Sequence, residues 1–219
     1  MAAAVPFGPG ERKRLGADFY DQAYFVGRVK SNYPDYHQLI HSDVVKARAH
    51  FIKDFFRPTR TLEIGCAMGF EVNYLRKYGV EAYGVEVSQY AVDNSPERIR
   101  PFLYCGDVME LTKKWPKNYF DVVYSYDVLE HIDSRDVPLL MEELQRIGRF
   151  NYHRVATEYH AEDRDQSHIN LRDIEEWRDS YPDVYLAGSA DPDDYALNPP
   201  RSQPSIQLIQ FLNQHPYGN

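Results

Sequence analysis

The stretch Thr61-Leu62-Glu63-Ile64-Gly65-Cys66-Ala67-Met68-Gly69-Phe70 decides how the rest of the chain is read. Thr61 to Ile64 form a short β-rich run, and the small residues after it permit a tight turn and close approach of backbone to a ligand before a helix begins. A dinucleotide fingerprint reads G-x-G-x-x-G; counted from Gly65, this chain has Ala67 at the second glycine position and Phe70 at the third. Bulk at the third position opposes the close helix–strand packing that a glycine allows, so a pyrophosphate-bearing cofactor is disfavoured. Glu63, at the strand end just before the turn, suits a ligand carrying an ammonium or sulfonium rather than phosphates. The lesser alternative is a local hydrogen-bond acceptor for the turn.

Outward from this stretch the chain alternates. On the N-terminal side Val44, Val45, Phe51, Ile52 and Phe55 recur at helical spacing from Asp43 until Pro58 stops the pattern. On the C-terminal side come β-rich runs at Ala82 to Val87, Phe102 to Tyr104 and Phe120 to Tyr126, separated by helical stretches. Phe70, Tyr74, Leu75 and Tyr78 share one helix face; Val137, Leu140, Met141, Leu144 and Ile147 share another. A fifth strand is expected at Tyr152 to Glu158 and a helix at Leu171 to Ser180 with Asn170 as its N-cap. Two last strands are expected near Val184 to Ala187 and Ser205 to Leu212, with Ser189 to Pro204 as a loop between them. Residues 1–42 are rich in Tyr and Asp, with FYDQAYF at Phe19 to Phe25 and NYPDYH at Asn32 to His37, and read as an arm or lid on a domain covering 43–219.

Composition narrows the function. A chain of 219 residues, 43% hydrophobic, can bury one sizeable core. The formal charge of −8, spread along the chain, argues against a general phosphate-binding surface and makes nucleic acid an unfavourable substrate. No apolar run approaches the roughly 20 residues needed to span a bilayer, and the opening MAAAVPFGPGERKRLG lacks the apolar segment of a secretion signal. The expectation is a soluble, cytoplasmic protein. Cys66 and Cys105 lack metal-ligand spacing and imply neither a disulfide framework nor a zinc site. The 18 Tyr and 11 Phe fill a core or build a stacking surface for a ring-bearing ligand.

In doubly wound sheets ligands sit outside the carboxyl ends of the strands. Glu86, 17 residues after Gly69 at the end of the second β-run, lies near the spacing at which an acid accepts bonds from ribose hydroxyls. Gly106-Asp107 follows the third run and puts a carboxylate where an exocyclic adenine amine could donate to it, or where a solvated turn would hold an Asp. Three successive strands thus end in acids.

That joint pattern resembles the class I S-adenosylmethionine-dependent methyltransferase family, whose first motif, an acid followed by G-x-G-x-G, is matched by Glu63, Gly65, Ala67 and Gly69. Ala67 replaces the middle glycine. Phe120-Asp121-Val-Val-Tyr-Ser-Tyr-Asp127-Val-Leu-Glu130-His131-Ile132 looks like the fourth-strand segment of the small-molecule branch, and the similarity spans about residues 60–180. The resemblance implies an α/β fold: a doubly wound, mostly parallel seven-stranded sheet with helices on both faces, an antiparallel last strand and an N-terminal aromatic arm. It implies S-adenosylmethionine as cofactor, with Glu63, Gly65, Cys66, Ala67 and Gly69 at its methionine part, Glu86 and Val87 at the ribose, Asp107 and Val108 at the adenine, and Ser125 and Tyr126 along its reactive side. Tyr20 and Tyr24 belong to the arm that, in some of these enzymes, folds over the cofactor.

Methyl transfer is an in-line displacement that positioning and exclusion of water can accelerate without a metal. A hydroxyl or ammonium acceptor must lose a proton, and His is the side chain poised near neutral pH. His131 in the LEHI segment is the first candidate base, although a His there also serves to orient the turn. His168 in DQSHIN, with Asp165 as partner, is the second. His153, Glu158, His160, Asp163, Asp165 and His168 offer enough N and O donors for a metal but no diagnostic spacing such as H-E-x-x-H, so they read as a solvated acidic loop and no metal is expected. Tyr20, Tyr24, Phe25, Tyr33, Tyr36 and His37 form the expected lid. The expected function is methyl transfer to an O or N atom of a small molecule; a non-catalytic cofactor-binding scaffold on the same fold is the alternative.

Overall fold

The structure, a computed structural model, describes residues 14–156, 165–173, 176–177, 185–187 and 205–211. Five parallel strands form its centre: β1 (Arg60–Ile64), β2 (Glu81–Glu86), β3 (Leu103–Cys105), β4 (Phe120–Tyr126) and β5 (Gly148–Ala156), in the order β3-β2-β1-β4-β5. The order reverses direction at β1, so the carboxyl ends of β1 and β4 flank the crevice where such sheets hold ligands. Beyond β5 the backbone of β7 (Ser205–Phe211) pairs antiparallel with β5, and β6 (Tyr185–Ala187) antiparallel with β7.

Apolar residues fill both faces of the sheet. Along β4 the period of two sends Val122, Tyr124 and Tyr126 into one core and Val123 into the other. The first core is closed by the helices α2 (Asp43–Phe51) and α3 (Phe70–Lys77), which bury Val45, Ala49, Val72 and Leu75. Ser42 caps α2, its hydroxyl accepting from the Val45 N–H at 3.3 Å. The helix continues as a π-turn, Ile52–Phe56, and stops at Arg57 in left-handed conformation before Pro58, where the sequence places the break. The second core is closed by α6 (Val137–Ile147), whose Val137, Leu140, Met141, Leu144 and Ile147 are all buried. At about 1.5–3 kcal/mol for each fully buried side chain, that stripe is what docks the helix.

Two expectations need correction. β5 begins at Gly148 rather than Tyr152, because Gly148 leaves α6 with an extended backbone and pairs at once with Phe120. Asn170 does not cap a helix: its amide donates to the Leu129 carbonyl at 3.2 Å and its oxygen accepts from Arg172. Asp173 and Glu176 instead bond reciprocally (Glu176 N–H to Asp173 Oδ1, 2.8 Å; Asp173 N–H to Glu176 Oε2, 3.0 Å). The remainder of that expected helix and the 189–204 loop lie outside the described residues. Among the described residues no helix is long and apolar enough to cross a membrane.

Part of the N-terminal segment packs into the first core. Tyr24 and Phe25 on α1 (Gln22–Phe25) are buried, Phe25 stacking on Tyr90 and Tyr36 on Phe70 with ring centroids 5.8 and 5.6 Å apart. The Tyr74 hydroxyl donates to the Ile40 carbonyl at 3.0 Å.

One buried pair predicts an acid sensitivity. His153 in β5 is fully buried; its Nδ1 lies 2.8 Å from Ser125 Oγ and its Nε2 has no partner among the described residues. Burial pushes the imidazole down to about 3. The unfolded chain protonates near 6.5 and the folded one does not, so stability is full above pH 6.5 and falls as pH drops toward 3, by about 1.4 kcal/mol per pH unit for this group. Urea midpoints at pH 7 and pH 5 should therefore separate more for the wild type than for His153→Asn; equal separations would remove His153 as the cause.

Candidate functional site

The carboxyl ends of β1, β2 and β4, the turns after them and the N-terminal segment enclose a cavity of about 220 Å³. Its floor is the Gly65–Gly69 turn. Gly65 and Gly69 have φ of +65° and +67°, and a Cβ on Gly65 would lie 2.5 Å from Val128 Cγ2. Ala67, between them, also adopts a left-handed φ of +47°. The turn is held by Glu86: its Oε2 accepts from the Ala67 N–H and its Oε1 from the Ser88 N–H, both at 2.7 Å. Burial pushes the Glu86 carboxyl up, and these backbone donors pull it back toward the charged form.

Two more buried carboxylates share the cavity. Glu63 accepts from the Tyr124 hydroxyl at 3.3 Å. Glu71, in the first turn of α3, pairs with the Arg48 guanidinium at 3.6 Å, and that guanidinium lies 4.5 Å from the Tyr126 ring centroid. Burial first, and the neighbouring Glu71 next, push the Glu63 carboxyl well above its usual range. Like charges in a dry pocket cannot all stay ionised unless a cation joins them. Arg48 answers Glu71, and Glu63, Glu71 and Glu86 together leave this side of the cavity acidic.

At the mouth, Asp107 caps the short helix α5 (Val108–Leu111), accepting from the Met109 N–H at 2.8 Å, and is half-exposed. Arg14 bonds Asp136 at 2.7 Å beside it. Across the cavity the Tyr24 hydroxyl donates to Asp165 at 2.9 Å, Ser167 N–H donates to the same carboxylate at 2.9 Å, and Ser167 Oγ lies 2.7 Å from His131 Nδ1. Burial holds the His131 imidazole down at about 4, hence neutral at physiological pH. Asp127 would be pushed up by burial, but Arg154 and Arg48 outweigh that and hold it ionised.

Residues 62–151 match the sequence profile of the family described as "Methyltransferase domain". That span runs from β1 through the turn, the strand-end acids and β4 into β5. Over that span the chain is similar to this methyltransferase family. It is 25% identical over 112 residues to a phosphoethanolamine N-methyltransferase of Plasmodium falciparum, a match covering 49% of this chain and 41% of that protein. The chain thus aligns with about two fifths of the length of that curated relative. Among solved structures, its fold is similar to that of a SAM-dependent methyltransferase from Archaeoglobus fulgidus (TM-score 0.57, 16% identity, 80% of this chain and 100% of that one). It is likewise similar to the plantazolicin methyltransferase BpumL, solved with S-adenosylhomocysteine (TM-score 0.54, 14% identity, 80% and 88%).

Of the residues expected in the methyltransferase site, Tyr20, Tyr24, Glu63, Gly65, Ala67, Glu86, Val87, Asp107, Val108, Tyr126 and His131 line the cavity. Four take other places. Cys66 is buried with its sulfur against Gly84. Gly69 starts α3 beneath the Ile99 and Leu103 side chains. Ser125 faces the opposite side of the sheet from Tyr126 and meets His153. His168 lies behind His131, with ring centroids 4.8 Å apart. Asp165, expected beside His168, accepts from Tyr24 and Ser167. His153 is sealed between β4 and β5, so the expected loop cluster does not form around it; Glu158, His160 and Asp163 lie outside the described residues.

Sequence reasoning missed Glu71, Arg48 and Asp127 as cavity residues. Glu71 in a first helical turn looks like ordinary complementarity to the helix dipole. Arg48 looks like the solvated face of α2; nothing local marks it as bridging Glu71 to Asp127. Asp127, in left-handed backbone at φ +55° directly after β4, did carry a signal: a carboxylate at a strand end, as at Glu63 and Glu86.

Proposed function

We propose that this chain transfers the methyl group of S-adenosylmethionine to an oxygen or nitrogen atom of a small molecule in the cytoplasm. The observation that carries the reading is the set of three buried carboxylates, Glu63, Glu71 and Glu86, lining one cavity over the β1 turn. A sulfonium and an ammonium compensate such a set; phosphates do not. In this reading the turn and Glu63 hold the methionine part, Glu86 the ribose, and Asp107 with Val108 the adenine. Tyr20 and Tyr24 close over the cofactor as a lid, completing a seven-stranded methyltransferase fold with its antiparallel last strand. The acceptor enters beside Tyr126 and His131 and loses its proton there, with His168 supporting His131.

The small acceptor is favoured by the enclosed aromatic wall and the acidic balance of the cavity, which repels a nucleic-acid backbone. The relative that acts on phosphoethanolamine adds an amine to the acceptor classes worth testing first.

Binding of S-adenosylmethionine should release protons. Free Glu63 carries its proton to higher pH than an ordinary carboxyl, and a cation favours the ionised form, so affinity rises as pH rises through the range where Glu63 titrates. Calorimetry at pH 7 in phosphate and in Tris should give a more exothermic apparent heat in Tris, a difference that shrinks in Glu63→Gln. No heat with folded protein in either buffer would sink the cofactor half of the proposal. Binding without transfer of labelled methyl to any component of a metabolite extract would sink the catalytic half.

A further inference from the structure

Glu130 and His131 follow β4 in a single 3-10 turn, and His168 comes from a segment nearly forty residues later in the chain. Backbone bonds lock the two segments together. The N–H groups of Ile169 and Asn170 both donate to the Glu130 carbonyl, at 3.0 and 2.9 Å, and the Asn170 amide donates to Leu129. As a result one donor atom from each of Glu130, His131 and His168 lies within 4.8 Å of the other two. Ligands at about 2.0–2.2 Å from a shared ion stand up to about 4.4 Å apart, so these three need only a small side-chain adjustment to meet one.

The Glu130 side chain supplies an independent sign. It is fully buried, its Oε1 accepts from the Ala156 N–H at 3.0 Å, and its Oε2 has no hydrogen-bond partner among the described residues. A buried acceptor left unmade is costly, and an ion is one of the partners that can satisfy it. His131 is braced as metal-bound imidazoles are: the Nδ1 contact to Ser167 Oγ, backed by Asp165, fixes the ring and leaves Nε2 for coordination. His131 also lines the cavity, so the cluster opens toward the acceptor side.

We propose that Glu130, His131 and His168 bind one divalent first-row transition-metal ion at the acceptor end of the cavity. Two imidazoles and one carboxylate suit Mn²⁺, Co²⁺ or Zn²⁺ better than Mg²⁺, and three protein ligands leave positions open for a ligand oxygen. This rests on the methyltransferase reading and deepens it toward a hydroxyl-bearing acceptor. The acceptor oxygen coordinates the ion, its O–H proton leaves to solvent water, and its lone pair forms the O–CH₃ bond as the S–CH₃ bond breaks, turning the sulfonium into a neutral thioether. A coordinated His131 then acts through the ion rather than taking the proton itself.

The test uses the full chain stripped with a chelator and titrated with Mn²⁺, following loss of the free-ion electron paramagnetic resonance signal, and with Co²⁺, following its visible absorption. One equivalent should bind. His168→Ala and Glu130→Gln should each weaken binding at least tenfold, while the surface variant Glu110→Gln should leave it unchanged. Far-ultraviolet circular dichroism checks that each variant is folded. No stoichiometric binding by the folded wild type, or binding that neither substitution alters, overturns the metal site. Stoichiometric metal binding without methyl transfer overturns the functional reading instead, and methylation unaffected by the chelator in protein that binds no metal overturns the metal site and leaves that reading standing.

Discussion

Glu86→Ala is expected to weaken S-adenosylhomocysteine binding by about 1–3 kcal/mol, roughly five- to 150-fold, and to destabilise the fold in the same stroke. The first effect follows from the proposed ribose contacts of a charged acceptor. The second follows from geometry: the Ala67 and Ser88 N–H groups both end on this one carboxylate at 2.7 Å and lose their acceptor when it is removed. At about 1–3 kcal/mol for each stranded donor, the stability loss should reach roughly 2–6 kcal/mol. Glu86→Gln separates the two roles. Its amide oxygen keeps one of the N–H bonds while its NH₂ faces the other donor, so stability should fall about half as far. Denaturant midpoints and calorimetry on both variants check this. Affinity for the cofactor product unchanged in folded Glu86→Gln and Glu86→Ala would show that the ribose is held elsewhere.

The same carboxylate explains why the site was readable at all. Glu63, Glu86 and Asp107 stand at the ends of three β-runs whose boundaries are marked by small or turn-forming residues, and a parallel sheet places all such ends on one edge. Spacing along the chain was enough. It failed at Ser125, placed with Tyr126 on the cavity, because neighbours in a strand face opposite sides; Tyr126 lines the cavity and Ser125 points to His153. It failed at the start of β5 because Gly148-Arg149-Phe150 carries no alternation and continues the polar edge of α6. The link from Tyr24 through Asp165 and Ser167 to His131, and the seat of Tyr36 on Phe70, join segments far apart in sequence. Phe70 illustrates the gap: its bulk was legible as an argument against a dinucleotide, but its use as a platform for the N-terminal segment is a tertiary fact.

Gly65→Ala is expected to cost about 2–6 kcal/mol and to abolish tight cofactor binding, although it adds a single methyl group. Gly65 sits at φ +65°, where a residue with a side chain is strained by about 1–3 kcal/mol. The new Cβ would also stand 2.5 Å from Val128 Cγ2 and 3.3 Å from its Cγ1, closer than atoms tolerate, and relieving that overlap in a packed core costs about another 1–3 kcal/mol. Val128 cannot simply turn away: it begins the Val128–Ile132 stretch that carries Glu130 and His131, and the His131 N–H is tied to its carbonyl at 3.0 Å. The clash therefore couples the Gly65–Gly69 turn to the Val128–Ile132 loop, the proposed donor and acceptor sides of the cavity. A double-mutant cycle with Val128→Ala reads that coupling. The second substitution removes the overlap but not the backbone strain, so Gly65→Ala/Val128→Ala should regain about 1–2 kcal/mol relative to the sum of the single variants. Strict additivity would mean that the two loops move independently, and that the glycine is required only for its backbone.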